Sequence, residues 1–285
     1  MTEDGLPPLR DVITQHGLRA DKRFGQNFIL DLNLTRRIAR TAGDIANCDV
    51  LEIGPGPGGL TRGLLLEGAR KITVIEADRR FIPALEEIAA HYPGRLDIIH
   101  GDALKISPES ITDQPYRIVS NLPYNVATPL VIDWLQSAWR EGQWQPKFLS
   151  LTLMFQKEVA QRLVAQPEDR AYGRLGVLAG WLTYADIVFE VDRQAFVPPP
   201  KVTSAIVQLT PRKQPLAPAN PQTFEKLTAA AFGQRRKMLR ASLKQICLDP
   251  HDLLARAGVK ETARAEEIPI EAFCTLARLL DEAVS

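Results

Sequence analysis

Short apolar runs and longer stretches with helical spacing alternate along the first two thirds of the chain. Leu34, Ile38 and Ala42 recur on one face of a helix expected from Leu32 to about Ala42, with Asp31 placed to cap it. Asp49 to Ile53 is an apolar run that reads as a strand, and the helix after it turns Leu60, Leu64 and Leu65 inward. Lys71 to Ile75 reads as a second strand, roughly Arg80 to Ala90 as a helix, and Leu96 to Ile99 as a third strand. Tyr116 to Ser120 and Phe148 to Met154 follow as the fourth and fifth. Asp186 to Val191 and Ser204 to Leu209 look like one further pair, a hairpin. Because strands alternate with helices, the expected class is α/β, with the first four or five strands in a parallel, doubly wound sheet.

The pattern changes near residue 211. Pro211, Pro215, Pro218 and Pro221 fall close together and read as a linker. Beyond them Phe224 to Ile246, Asp252 to Ala257 and Ile270 to Ala283 carry helical spacing. The expected division is therefore a large domain over 1–210 and a small all-helical domain over 211–285.

Composition narrows the function classes. A net charge of +1 in 285 residues points to no polyanionic partner through bulk charge, so a nucleic-acid surface has to be a local patch. Cys48, Cys247 and Cys274 are scattered and odd in number, which argues for reduced thiols in a cytoplasmic protein. The four histidines stand at no metal-ligand spacing from them, so no metal is expected. No apolar run has the length of a membrane span, and the acidic N-terminal region lacks a signal sequence.

The candidate chemistry sits where strands end. Gly54, Gly56 and Gly59 fit the G-x-G-x-x-G pattern, and Glu76 follows Gly54 at the spacing of an acid that accepts from ribose hydroxyls. A nucleoside-containing ligand is expected. Pro55 and Pro57 remove two N–H groups that a pyrophosphate would use, which favours S-adenosylmethionine over NAD. Asp102, ending the third strand, can accept from an adenine amine or serve as a turn cap. Asn121-Leu122-Pro123-Tyr124 follows the fourth strand. The Asn121 amide oxygen and the Leu122 carbonyl are two acceptors, Pro123 fixes the backbone that presents the second, and the Tyr124 ring offers a flat face. Such a set suits a planar exocyclic amine. Gln234 to Lys244 carries Arg235, Arg236, Lys237, Arg240 and Lys244 and no acid. On a helix Arg236, Arg240 and Lys244 stand one above another, a track for RNA phosphates to which Lys22 and Arg23 add.

Taken together, these motifs resemble a known family. The ensemble is Lys22 to Phe28, Glu52 to Gly58, Glu76-Ala77-Asp78, Gly101-Asp102-Ala103, Asn121 to Tyr124, Gln156 to Val159, Ala171 to Leu175 and Phe196 to Val202. In order and content it is similar to the ribosomal RNA small-subunit adenine dimethyltransferases, over nearly the whole chain. Ile29 is one departure, since the family usually has Leu there. The resemblance implies a Rossmann-like methyltransferase sheet and S-adenosylmethionine as cofactor, contacted by Asn27, Ile29, Gly54, Gly56, Glu76, Asp102 and Asn121. It implies that Tyr124 and Phe196 sandwich the target adenine. The implied substrate is two adjacent adenosines near the 3′ end of small-subunit rRNA in a pre-ribosomal particle, modified by a monomeric enzyme. An NAD-dependent oxidoreductase would leave Asn121 to Tyr124 unexplained. A DNA adenine methyltransferase would share the chemistry, and a non-catalytic rRNA-binding assembly factor would share the fold.

Overall fold

The computed structural model describes residues 2–21 and 26–283. Seven strands form one sheet: β1 (Asp49–Ile53), β2 (Lys71–Glu76), β3 (Leu96–His100), β4 (Tyr116–Ser120), β5 (Phe148–Gln156), β6 (Thr183–Val191) and β7 (Ser204–Pro211). Their spatial order is β3-β2-β1-β4-β5-β7-β6. The first five run parallel, as the alternation of strand and helix requires, and β7 returns antiparallel to β5. The chain moves outward from β1 to β3, then crosses to the other side of β1 for β4. That reversal makes the C-terminal ends of β1 and β4 a topological switch point, where open α/β sheets bind ligands.

The central strands are buried almost throughout, which is why they appear in the sequence as apolar runs without alternation. Helices α1 (Leu9–Gln15), α2 (Leu32–Thr41), α3 (Gly59–Leu66) and α4 (Ile82–His91) accompany the first strands. Asp31 caps α2, accepting from the Asn33 N–H at 2.9 Å. Ile38, Leu64, Val50, Val74, Leu85 and Val119 meet in one apolar cluster of the sheet unit. Helices α2 and α3 approach closely because Gly63 has no side chain: a Cβ there would lie 2.7 Å from the Thr35 carbonyl carbon.

At the switch point the β1–β4 ladder stops at Leu51 and Ile118. Beyond it the Ser120 hydroxyl takes over, accepting from the Ile53 N–H at 3.1 Å and donating to the Ile53 carbonyl at 2.5 Å. One side chain thus satisfies both backbone groups of the last β1 residue, and the two strands are free to diverge into a crevice.

The chain forms two compact units. The first comprises residues up to Val131, Lys147–Ala160 and Asp186–Thr210; the second comprises Ile132–Pro146, Gln161–Ala185 and the chain from Pro211 onward. One change of unit falls at 210/211, and two earlier segments also group with the second unit. Further helices are α5 (Tyr124–Ser137), α6 (Lys157–Val164), α7 (Arg174–Leu182), α8 (Pro221–Gly233), α9 (Leu239–Ser242), α10 (Pro250–Arg256) and α11 (Ile270–Glu282). The second unit has its own aromatic core, in which Trp181 stacks between Trp139 and Phe224 with centroid separations of 5.3 and 4.1 Å.

The continuous helix expected from Phe224 to Ile246 is not present. Asn220 caps α8, which begins at Pro221 and stops at Gly233, and Gln234 leaves helical geometry at φ −127°, ψ 55°. Met238 then pairs as a bridge with Arg264, and the Leu239 N–H donates to the Ala263 carbonyl at 2.8 Å. Backbone groups spent on residues 263 and 264 are unavailable for an i→i−4 ladder. Only α9 and the 3-10 turn Leu243–Gln245 follow, burying Leu239 and Leu243. Arg236, Arg240 and Lys244 therefore do not form a single i, i+4, i+8 column.

Candidate active site

Two adjoining cavities occupy the crevice at the switch point. The narrower, about 70 Å³, is lined by Asn27, Ile29, Glu52, Gly54, Glu76 and Asn121 to Tyr124 among others. The wider, about 740 Å³, is lined by Glu76, Asp78, Asp102, Leu104, Pro123 and neighbours, and shares Gly54, Glu76 and Pro123 with the first. Its volume is that of a small-molecule or cofactor site. The fit to S-adenosylmethionine can be tested on the glycine loop. Gly54 and Gly56 both adopt positive φ, at 64° and 55°, a region that favours glycine and bends the loop into the crevice. The Gly54 N–H donates to the Ile75 carbonyl, the Gly56 N–H to Glu76 Oε2 and the Gly58 N–H to the Pro55 carbonyl. Pro55 and Pro57 have none to give. Residues 54–58 thus keep no uncommitted backbone donor, which makes this turn a poorer cradle for a pyrophosphate and favours a nucleoside cofactor without phosphate.

The Asn121 to Tyr124 segment is set up for an amine. Asn121 Nδ2 donates to the Asn27 carbonyl at 3.2 Å, which turns its Oδ1 into the free end of the amide. Among the described residues no donor reaches Asn121 Oδ1 or the Leu122 carbonyl. The Pro123 carbonyl, in contrast, is taken by the Val126 and Ala127 N–H groups that start α5. Two unengaged acceptors from adjacent residues thus stand in the lining of one cavity. The Tyr124 hydroxyl meets Ser204 Oγ at 2.6 Å, anchoring the ring from β7. Burial holds the Tyr124 phenol above its ordinary range, with the Ser204 bond opposing it, so the ring is a neutral face.

Glu76 receives the Gly56 N–H at 3.0 Å and the Asp78 N–H at 2.8 Å, which fixes its carboxylate between loop and strand end. Each oxygen retains a lone pair for a ribose hydroxyl. Burial pushes its pKa up, against those backbone bonds. Asp102 is half exposed, caps its turn through the Leu104 N–H at 3.0 Å, and also lines the wider cavity. Ile29 brings its carbonyl against α3, 2.5 Å from where a Cβ on Gly59 would stand. Phe196 is the second face of the adenine sandwich that the resemblance implied. It is 1% exposed, lies in the apolar cluster and lines neither cavity, because Phe28–Ile29 pairs antiparallel with Phe196–Val197 and draws it under Ile29.

Sequence reasoning missed four groups here: Ser120, Ser204, the Asn27 carbonyl as the brace of Asn121, and Glu52 as a cavity wall. Lys22 and Arg23 lie outside the described residues. In the basic segment the structure supplies acids that the local sequence lacks. Arg235 pairs with Glu266 at 2.7 Å and also donates to the Arg170 carbonyl, and Arg240 stands 3.9 Å from Glu261. Arg236, Lys237 and Lys244 are exposed and have no ion-pair partner among the described residues.

Comparison with known proteins agrees with this geometry. A family model described as ribosomal RNA adenine dimethylase matches residues 17–282. The ribosomal RNA small subunit methyltransferase A of Paracoccus denitrificans is 61% identical over 96% of both chains. That of Sinorhizobium medicae is 57% identical over 97% of this chain and 98% of its own. Among solved structures, a dimethyladenosine transferase from Plasmodium falciparum superposes with a TM-score of 0.74 at 26% identity, covering 88% of this chain and 96% of its own. The 23S rRNA methyltransferase ErmE superposes with a TM-score of 0.66 at 30% identity, over 90% of this chain and 100% of its own.

Proposed function

This chain belongs to the ribosomal RNA adenine dimethylase family, and we propose that its crevice dimethylates N6 of two adjacent adenosines in a loop near the 3′ end of 16S rRNA. S-adenosylmethionine, the donor used by this family, supplies an already activated methyl group. Gly54, Gly56, Glu76, Asp102, Asn27 and Ile29 would hold it. The chain's task is to present an amine whose lone pair is delocalised into the base. Asn121 Oδ1 and the Leu122 carbonyl accept the two N–H bonds, which draws the nitrogen towards tetrahedral geometry and localises its lone pair. Tyr124 supports the base by stacking. Positioning of this kind can supply about 7–11 kcal/mol of a barrier. A base is unreachable while stacked in a helix, so the target is a loop or a flipped nucleotide.

The observation that carries this reading is the pair of unengaged acceptors at Asn121 and Leu122. A non-catalytic assembly factor has no need of them. Arg236, Lys237 and Lys244 serve as phosphate contacts, and Lys22 and Arg23 are further candidates for that role. We place the protein as a monomer in the cytoplasm, acting on the small-subunit particle. No helix among the described residues is long and apolar enough to cross a membrane. The test is Asn121→Ala, assayed by mapping N6-methylated adenines after incubation with S-adenosylmethionine and undermethylated small subunits. Turnover should fall at least a hundredfold while RNA affinity stays within about twofold. Methylation near the wild-type rate would refute the two-acceptor model.

A further inference from the structure

We propose that Glu52 is a proton-linked selector of the methyl donor: it is protonated in the cofactor-free site and ionises when a cationic ligand enters, so the site prefers the sulfonium donor over its thioether product more strongly as pH rises. The proposal rests on the reading that this crevice takes S-adenosylmethionine.

Glu52 ends its side chain in the wall of the narrow cavity, beside Gly54, Glu76 and Asn121, and only 1% of the residue is exposed. Its one hydrogen bond comes from Thr61 Oγ1 to Oε2 at 2.6 Å, and Oε1 takes none from the described residues. No cation faces it. From β2 comes Glu76, a second carboxylate. From α3 comes the neutral Thr61, while the adjacent Arg62 is committed to Asp4 through bonds of 2.6 and 2.7 Å. From the segment after β4 comes the neutral Asn121. Asp78, the next acid along, is already paired with Arg80 at 2.5 Å. Two buried carboxyl groups thus share a cavity into which the described residues bring no positive charge. Burial, with Glu76 adding to it, pushes Glu52 up to about 8.

A buried acid pair without a counter-ion is stabilised by a cation delivered by the ligand. S-adenosylmethionine carries one positive charge more than S-adenosylhomocysteine, at the sulfonium. Binding the donor releases the Glu52 proton to solvent; after methyl transfer the sulfonium charge is gone, the carboxyl takes a proton back, and the product is held less tightly. Below pH 8 the cost of ionising Glu52 falls tenfold per pH unit, so the preference for donor over product should climb by up to about tenfold per unit and level off above pH 8.

The experiment is titration calorimetry of the full chain with S-adenosylmethionine and with S-adenosylhomocysteine, from pH 6 to 9. Two buffers of different ionisation enthalpy count the protons, and Glu52→Gln, an isostere of the neutral acid, is measured alongside. The wild type should show a donor-to-product affinity ratio that rises with pH and a larger proton release for the donor. Glu52→Gln should show a lower ratio that is flat with pH. A flat ratio in the wild type overturns the proposal, as does a slope that persists in Glu52→Gln, which would assign the titration to Glu76. Should Glu52→Gln fail to fold, the wild-type proton count decides alone: equal release for both ligands refutes it. Absence of donor binding at every pH would instead defeat the functional reading itself.

Discussion

Gly59→Ala separates what the third glycine of the G-x-G-x-x-G pattern does from what that pattern suggests. An alanine Cβ at 59 would stand 2.5 Å from the Ile29 carbonyl oxygen and 3.0 Å from Leu9 Cδ2. A carbon–oxygen contact relaxes at about 3.3–3.6 Å, so the segment around Ile29 has to retreat by about 1 Å. That segment includes Asn27, whose carbonyl fixes the Asn121 amide. Overpacking of this size costs about 1–3 kcal/mol, and a 1 Å displacement of a positioning group can cost about a hundredfold in rate. Gly63→Ala is the matched control. Its Cβ would press on Thr35 of α2 at 2.7 Å, and Thr35 lines neither cavity of the site. Both variants should melt several degrees lower. Only Gly59→Ala should also weaken S-adenosylmethionine binding, by tenfold or more in calorimetry, and lower kcat/KM for methylation by up to about a hundredfold. Equal affinity in the two variants would refute the argument that the 27–29 segment is a cofactor wall held in place by the bare face of α3.

The remaining predictions concern partners of the site. Asp4→Ala should cost about 3–5 kcal/mol at pH 7, because it leaves the buried Arg62 guanidinium without its carboxylate. Burial raises the Asp4 pKa, but Arg62 and Thr2 outweigh it and hold the carboxyl below its ordinary value, so the pair's contribution is complete above about pH 4 and is lost as pH falls further. Urea denaturation at pH 7 and pH 3 should therefore show the gap between Asp4→Ala and wild type closing at the acid end. Ser204→Ala should lower kcat by up to about tenfold with donor affinity unchanged, since it frees only the Tyr124 ring; loss of donor affinity would place Ser204 in the cofactor wall. Replacing Arg236, Lys237 and Lys244 together by Ala should flatten the slope of log RNA affinity against log salt by about two, measured by filter binding at several salt concentrations. Replacing Arg235 and Arg240 should flatten it less, because Glu266 and Glu261 already neutralise them; equal slopes in both variants would put the RNA elsewhere.

The sheet could be read from the chain because its central strands are buried on both faces, so burial and sequence carry the same signal. Three helices, α1, α6 and α7, were not read, and for the last two the physical reasons differ. Helix α6 leaves β5 with no intervening loop, Gln156 ending the strand and Lys157 starting the helix, so no turn residue marks it. Helix α7 contains Gly176 and Gly180, which lower helix propensity. Gly176 is there for packing, as a Cβ would come 2.5 Å from the Arg162 carbonyl. The basic segment shows the converse. Its spacing suits a helix from end to end, but tertiary pairing of Met238 with Arg264 outweighs local propensity by spending the backbone donors elsewhere.

In the site, legibility follows distance along the chain. Gly54, Glu76, Asp102 and Asn121 all end strands, and a strand end is a local event that a run of apolar residues announces. The groups that orient them come from far away: the Asn27 carbonyl braces Asn121 across 94 residues, Ser204 holds Tyr124 across 80, and Ser120 splays β1 from β4 across 67. A lone serine or a backbone carbonyl has no pattern of its own, so its role exists only once the sheet order puts β7 beside β5 and β4 beside β1. Phe196 shows the same rule in reverse. The resemblance implied it as a base-stacking face, and its burial comes from antiparallel pairing with Ile29, which joins residues with no local relation. The chemistry of this site is therefore written at strand ends, while its precision is set by long-range contacts that the fold alone creates.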